Sequence, residues 1–436
     1  MPGADRLVDV LRRRGLASGR EIRRELGLSQ PTLSRLIREA GPRVCRFGRS
    51  VATRYAAPRP IDGLGPSAPV FRVDERGLPA EHGVLHWLAR GETYLERSSG
   101  DGQWFAGLPP FVEDMRPQGY MGRGFPALHP DLPLPARITD WGDDHQCIAL
   151  ARRGEDCVGN LIIGAESLDR FSRRSPGPRS REDYPDLARG VLAGQPGSSA
   201  GGEHPKFLVD AGDRQLLIKF ATGDGAGADR WRDLLVAEHV ALDVLRDAGF
   251  AASRTAWFDL DGGRYLEVER FDRVGPRGRR GVISLHAINA HFLGYHPDSW
   301  GRAGRRILDE PSLDLPAADA GRMVWLDTFG DLIGNTDRHY GNFSFFAEEA
   351  RALTLAAAPA YDMLPMVFAP AASSLVERRF APHPPHALNL GIWHEAAEHA
   401  RTYWARLGDE VGLSDGFRRL SRDCHEALAR LVAEHS

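Results

Sequence analysis

Asp337 and Asn342 stand five residues apart in the run Gly334-Asn-Thr-Asp-Arg-His-Tyr-Gly-Asn-Phe-Ser344. An aspartate can take the proton of an attacking hydroxyl, and an asparagine oxygen five residues on can hold Mg2+; this D-x-x-x-x-N spacing is that of a phosphoryl-transfer loop. A second acidic residue, Asp362, follows a short apolar run in Ala358-Pro-Ala-Tyr-Asp-Met-Leu364. Mg2+ takes few protein ligands and keeps waters and phosphate oxygens for the rest, so Asn342 and Asp362 suffice as a metal pair. His339, two residues past Asp337, is placed to donate a hydrogen bond to a transferred phosphate.

Phosphate also needs a cation. Of the 56 basic residues only Lys206 and Lys219 are lysine; every other one is arginine. Lysine is a compact point charge and arginine a planar fork, so a lysine kept in such a chain marks a place where the fork does not serve. Lys206 ends the glycine- and serine-rich run 197–206, which contains Ser198, Ser199, Gly201 and Gly202, and Lys219 ends the apolar run Leu216-Leu-Ile-Lys219. A glycine-rich loop followed by a strand with one lysine is what a nucleotide-phosphate site requires. A helix follows from Trp231 to Ala248, and its Glu238 can pair with Lys219 and orient it. Tyr265-Leu-Glu-Val-Glu-Arg-Phe-Asp272 reads as a strand leaving the core whose backbone, around Glu269 and Phe271, could hold an adenine ring.

Those residues occupy only part of the chain. Its 436 residues suit two or three domains, and 42% apolar with 26% charged residues describes a globular protein. The expectation is a soluble, cytoplasmic protein, with no membrane partner, signal peptide or disulfide framework; the four cysteines are scattered and lack metal-ligand spacing. Net charge is −3, yet residues 1–57 carry +8 and the remainder −11. A basic head on an acidic body points to nucleic acid.

The head reads as a winged helix-turn-helix over residues 1–57. Leu7, Val10 and Leu11 share one helical face; Ser18 with Glu21 forms a capping box; Ser29 caps a third helix with Pro31 in its first turn. The following stretch to Tyr55 reads as a hairpin turning at Gly48-Arg49. Ser29, Gln30, Thr32, Ser34, Arg35 and Arg38 are then the groove-reading residues, and Arg46, Arg49 and Arg54 meet the phosphates of duplex DNA. Residues 58–69 read as a linker, 70–183 as a small α+β region ending in a flexible connection, 184–273 as an upper lobe with the glycine-rich loop, lysine strand and hinge, and 274–436 as a lower lobe with the catalytic and metal-binding motifs. The fold class is multidomain α+β.

The segments Ser198-Ser-Ala-Gly-Gly-Glu-His-Pro-Lys206, Leu217-Ile-Lys219, Val268-Glu-Arg-Phe-Asp-Arg273, Gly334–Ser344 and Tyr361-Asp-Met-Leu-Pro365 resemble the HipA family of Ser/Thr kinases, toxins of bacterial toxin–antitoxin modules. The resemblance covers about 195–436 well and 70–165 loosely. It implies a two-lobed, protein-kinase-like fold with a largely helical lower lobe, and growth inhibition by ATP- and Mg2+-dependent phosphorylation of a translation-related protein. In known relatives the target is an aminoacyl-tRNA synthetase. It implies that Asp337 is the catalytic base, Asn342 and Asp362 hold metal, Lys219 meets the ATP phosphates, and Ser199, with Ser198 a close competitor, is autophosphorylated. Typical members lack a DNA-binding head and use a separate helix-turn-helix antitoxin; here the head is fused, which matches a less-studied subgroup. The rival reading is a DNA-binding regulator whose kinase-like domain senses a ligand without phosphoryl transfer.

Overall fold

The computed structural model describes residues 3–173, 177–193, 204–349, 352–371 and 374–436. Helical spacing of apolar residues builds the N-terminal part. Helix α1 (Gly3–Arg14) buries Leu7, Val8 and Leu11 against Ile22 of α2 (Gly19–Leu26) and Leu33 and Leu36 of α3 (Gln30–Ala40). The capping box forms as expected: Ser18 Oγ accepts from Glu21 N at 3.2 Å and Ser18 N donates to the Glu21 carboxylate at 2.7 Å. Gly27, in the left-handed region at φ +67°, ends α2, and Ser29 caps α3 with Pro31 in its first turn. Strands β1 (Ala17–Ser18), β2 (Cys45–Phe47) and β3 (Arg54–Ala56) form an antiparallel sheet in the order β1-β3-β2. The turn between β2 and β3 is longer than the expected tight hairpin: Gly48 sits at φ +71° and a short helical turn, Ser50–Ala52, follows.

The expected linker is not one. Arg59 pairs bidentately with Asp144 at 2.7 Å, Ile61 is buried in a turn closed by Gly65, and Pro58 bridges to Leu88. These contacts tie residues 58–66 to a five-stranded antiparallel sheet of β4 (Ser67–Val73), β5 (Pro79–Trp87), β6 (Thr93–Arg97), β7 (Gly102–Phe105) and β8 (Leu161–Ile163), in the order β7-β6-β5-β4-β8. Helices α4 (Pro110–Met115) and α6 (Asp143–Arg153) cover one face of it, burying Val112, Cys147, Ile148 and Leu150 against Val70, Leu85 and Leu95; α7 (Ala165–Arg173) follows β8. The head also docks here. The Phe47 ring stacks on Tyr94 at 4.1 Å, and Glu92 accepts from Leu16 N and Trp104 Nε1. Head and middle sheet are one unit, from which 75–77 and 117–129 are excluded; the latter, with α5 (Gly119–Leu128), belong to the second unit together with residues from 176 on.

That second unit begins with α8 (Tyr184–Ala193) and an antiparallel sheet of β9 (Lys206–Asp210), β10 (Gln215–Ala221), β11 (Thr255–Leu260) and β12 (Gly263–Glu269), ordered β11-β12-β10-β9. Alternation along β10 decides its two faces. Ile218 and Phe220 pack with Tyr184 and Ala188 of α8, while Leu217 and Ala221 pack with Leu235 of α9 (Ala226–Asp247), which puts Lys219 on the α9 side. Below lie a hairpin, β13 (Arg273–Val274) with β14 (Gly278–Arg279), and a small sheet, β15 (Val282–Ser284), β16 (Leu313–Asp314), β17 (Ser344–Glu349) and β18 (Leu353–Ala357). Helices α10 (Leu285–Ile288), α11 (Trp300–Leu308), α12 (Ala317–Leu332), α13 (Trp393–Asp409) and α14 (Asp415–Glu434) enclose a core rich in Trp300, Phe329, Trp393, Tyr403, Trp404 and Phe417.

Phe47 is 2% exposed and joins head to middle sheet. Phe47→Ala should lower the stability of the N-terminal unit by about 3 kcal/mol, the low end for a buried Phe→Ala change. Hydrogen exchange of the full chain in rising urea, read on peptides from residues 1–116, checks this; a loss under 1 kcal/mol, on the order of a surface substitution, would mean the head is not held there.

Candidate active site

Strand β10 delivers Lys219 to the middle of the second unit, and α9 delivers Glu238. The ammonium donates to both Glu238 oxygens at 2.7 Å and to Asp362 Oδ1 at 2.5 Å. Lys219 is 6% exposed and Glu238 1%. Burial alone would lower the Lys219 pKa, but the Asp362 and Glu238 carboxylates outweigh it and hold the group above its usual value, so the lysine stays charged. Burial works against ionised Asp362 too, yet Lys219 and Lys206 bring its pKa down to about 2. Burial pushes the Glu238 carboxyl up; Lys219 opposes that shift and Asp362 adds to it. Lys206 is the cross-strand partner of Lys219, so the chain's two lysines share one face of the sheet beside Asp362.

The Gly334–Ser344 loop follows α12 and leads into β17. Asp337 is half exposed. Asn342 Nδ2 donates to the Asp337 carbonyl at 2.9 Å, which turns the amide so that Oδ1, the atom able to bind a cation, is its other arm. His339 Nδ1 accepts from Gly341 N at 3.0 Å, so its proton is on Nε2, which lies 4.0 Å from the Asp337 carboxylate. Three hydrogen bonds lock this loop to the Asp362 segment. Asn335 Nδ2 donates to the Asp362 carbonyl, Tyr361 OH donates to the Gly341 carbonyl, and Ser344 Oγ bonds to Tyr361 OH. Asp362 itself sits at φ +57°, a left-handed conformation rare for a residue with a side chain. Lys219, Glu238, Asp362, Asp337 and Asn342 are thus brought into one connected set.

The remaining predicted positions fall as follows. The Phe271 ring lies 5.5 Å from that of Tyr361 and 6.0 Å from Phe346, and Glu269 N donates to the Arg254 carbonyl. Ser198, Ser199, Gly201 and Gly202 lie outside the described residues. In the other unit Ser29, Gln30, Ser34, Arg35, Arg38, Arg46 and Arg49 are exposed, and Thr32 and Arg54 half-buried. Hard oxygen donors at Asn342 and Asp362 fit Mg2+; no group of three or more His, Cys, Asp or Glu poised for a metal is found among the described residues.

Residues 198–434 match the model of the HipA-like C-terminal domain, and residues 64–172 match that of the YjjJ-like toxin middle domain. Toxin YjjJ of Escherichia coli K12 is 34% identical over 442 residues, spanning 98% of this chain and 97% of that protein. The chain belongs to the HipA-like toxin family. A solved complex of Shewanella oneidensis HipA, HipB and operator DNA contains a chain similar in fold, with a TM-score of 0.51 at 13% identity, covering 84% of this chain and 97% of that one.

Within this HipA-like toxin the sequence reading missed four residues. Asn335 is fully buried and spans the two motifs: its Oδ1 accepts from Asp337 N at 3.0 Å while its Nδ2 reaches Asp362. Tyr361 stands beside Asp362 in its motif, and its hydroxyl joins Gly341 to Ser344. Arg338 braces the loop from behind, on Asp327 at 3.1 Å, Asp331 at 3.3 Å and the Asn335 carbonyl. His204 packs against Trp231 at 4.6 Å, and burial, with Lys219 and Lys206 nearby, pushes its imidazole down to about 3. Asn335 stands two residues before Asp337, the spacing of a local side-chain-to-backbone turn, and was legible in principle.

Lys219→Met removes the one cation between two carboxylates. Breaking a buried ion pair costs about 3–5 kcal/mol at neutral pH. The pH dependence has a definite sign. In the native protein Asp362, depressed from 3.8 to about 2, contributes stability above pH 4 that is lost as pH falls toward 2. In the variant both carboxylates prefer the protonated form, so their folded pKa values rise above the unfolded ones, and stability is regained as pH falls from 7 to 4. Urea midpoints at the two pH values should show the gap between variant and native protein narrowing at pH 4; a constant gap would mean the carboxylates do not depend on Lys219.

Proposed function

We propose that this HipA-like toxin is an ATP- and Mg2+-dependent Ser/Thr protein kinase. The observation that carries the reading is the Lys219–Glu238 pair, buried and bidentate, with Asp362 on the same ammonium. A lysine held by a helix glutamate, next to an aspartate and a D-x-x-x-x-N loop, is the set that kinases use to position a nucleotide triphosphate. The acceptor hydroxyl gives its proton to the Asp337 carboxylate as its oxygen bonds the γ-phosphorus, while the bond from that phosphorus to the bridging oxygen breaks and ADP leaves. Asn342 and Asp362 would hold Mg2+, which offsets phosphate charge. Lys219, with Lys206 beside it, meets the phosphates as a point charge. Phe271 and Tyr361 offer aromatic surface for the base, with Glu269 at the same strand end. His339 presents Nε2–H beside Asp337 as a donor to the transferred group. A translation-related protein, an aminoacyl-tRNA synthetase among them, is the substrate class that the family supports.

Asp337→Asn keeps the loop's backbone hydrogen bonds and removes the proton acceptor. Phosphate transfer from radiolabelled ATP to casein or to the chain itself should fall by 10² to 10⁴-fold, roughly what general-base catalysis contributes, while ATP binding measured by calorimetry persists. Transfer at the native rate would refute the assignment. ATP binding with no transfer in the native chain would favour the ligand-sensing regulator.

We further propose that the head is a winged helix that binds duplex DNA. Gln30, Ser34, Arg35 and Arg38 lie exposed along α3, from its first residue to its last turn, and Arg46 and Arg49 are exposed on and beyond β2. The Shewanella neighbour was solved with HipB and operator DNA; here the DNA-contacting element is part of the toxin chain, and an antitoxin partner would bind elsewhere. The whole chain is the right reagent, since Phe47 and Ala56 are covered by Leu88 and Tyr94 and would be bared in an isolated 1–57 fragment. Arg35→Ala with Arg38→Ala should weaken binding of random-sequence duplex and reduce the slope of log affinity against log salt by up to about 2. An unchanged slope in a gel-shift titration would place the DNA contacts elsewhere.

A further inference from the structure

A cavity of about 650 Å3 opens beside the loop that carries Asp337. Helix α12 lines it with Val324, Asp327 and Asp331; α11 contributes Arg302 and Arg305, and Asp298 lies just before that helix; residues 383–389, which contain no strand or helix, close the other side. Arg338, the residue after Asp337, lines it too.

Three aspartates and three arginines make the lining look neutral, but their partners differ. Asp298 is held by Arg306 at 2.7 and 3.1 Å and accepts from Tyr340 OH at 2.9 Å. Burial would raise its pKa, and those two partners more than offset that, so it stays ionised. Asp327 is bound by Arg338 at 3.1 Å, and Asp331 by Arg338 and by His383 at 2.9 Å. Each carboxylate is therefore already engaged. Arg305 is exposed with no partner among the described residues, and Arg302 has only a 3.8 Å approach to Asp298. The charge left for an incoming molecule is positive. Leu388 and Val324 add apolar surface between the polar groups.

This cleft has a fixed relation to the catalytic loop. Trp300 Nε1, in the first turn of α11, donates to the His339 carbonyl at 3.1 Å, and the Asp298–Tyr340 bond ties the same helix start to the next residue of the loop. A chain docked on α11 is thereby held at a set distance from Asp337. We infer that this cavity docks an acidic segment of the protein that receives the phosphoryl group, with Arg302 and Arg305 as its anchors. The inference rests on the kinase reading for the word "receives"; binding itself does not.

The test measures binding directly, on the full chain, by anisotropy of a short fluorescein-labelled peptide of Asp, Glu and Ser and of a Lys/Arg/Ser peptide of equal length. The acidic peptide should bind and the basic one should not. Arg302→Glu with Arg305→Glu should weaken the acidic peptide by roughly tenfold or more, as charge reversal at a recognition surface does. Because both arginines are exposed, the melting temperature and ATP binding should not move; Arg305→Ala alone is the milder variant if they do, and should show a smaller loss in the same direction. Arg35→Glu with Arg38→Glu on the head is the control for attraction to the other basic surface and should leave the affinity unchanged. Equal binding by the Arg302/Arg305 variant, preference for the basic peptide, or loss only in the head variant would each overturn the assignment. A chain that binds the peptide yet transfers no phosphate would instead indict the kinase reading and leave the docking site standing.

Discussion

One buried ammonium organises the second unit. Lys219 has Glu238 on one side and Asp362 on the other, and little water reaches it. An ion taken out of water is tolerated only when its partners are close and well directed. That requirement fixes three separate elements at once: the register of β10, the rotation of α9 about its axis, and the backbone of Asp362 in a left-handed conformation that a side chain disfavours. Arginine would not serve. Its fork needs two acceptors in one plane, whereas here the acceptors converge on a single nitrogen from different elements. In a chain that uses arginine almost everywhere else, the lysine is explained by this convergence.

The set has an excess carboxylate. Two anions face one cation, with Lys206 across the strand as the nearest further positive charge. Asp362 is the more exposed of the two, at 28% against 1% for Glu238. It is therefore the acid that would exchange a lysine contact for the proposed metal, while Glu238 keeps the lysine in place. The left-handed Asp362 is held from below by Asn335 and, through its neighbour Tyr361, by Gly341 and Ser344. Asn335 makes the spacing between Asp337 and Asp362 a property of one side chain, because it bonds the backbone of both.

Much of this was legible in the sequence, and the reason is local. Asp337, Asn342, Asp362, Lys219 and Glu238 lie in short runs whose residue types and spacing single them out, and the Lys219–Glu238 contact follows from a strand succeeded by a helix. The caps at Ser18 and Ser29 were readable for the same reason: they depend on residues three apart. What was not legible depends on distant pairs. The stretch 58–66 has the composition of a linker, and only the arrival of Asp144 and Leu88 turns it into packed structure. Residues 117–129 read as part of the middle region, yet they belong to the second unit. The cavity beside α11 draws its walls from residues more than eighty positions apart, and no spacing rule could have joined Arg302 to His383.

The fused head changes what DNA binding would mean for such a toxin. Along β2, Arg46 faces solvent and Phe47 faces Tyr94, so one strand serves two surfaces by alternation. Glu92 extends the joint by accepting from the backbone of Leu16, between α1 and β1, and Arg90 donates to the Arg13 carbonyl. Head and middle sheet therefore share a core rather than a tether, and DNA held by α3 would fix the orientation of the middle sheet as well. A separate DNA-binding partner must be retained by its own affinity and is lost on dilution. A head packed into the toxin cannot be lost without unfolding Phe47 and its neighbours, so if it binds DNA as proposed, release would have to come from weakening the proposed arginine–phosphate contacts, by salt, by a competing polyanion or by an added negative charge near α3.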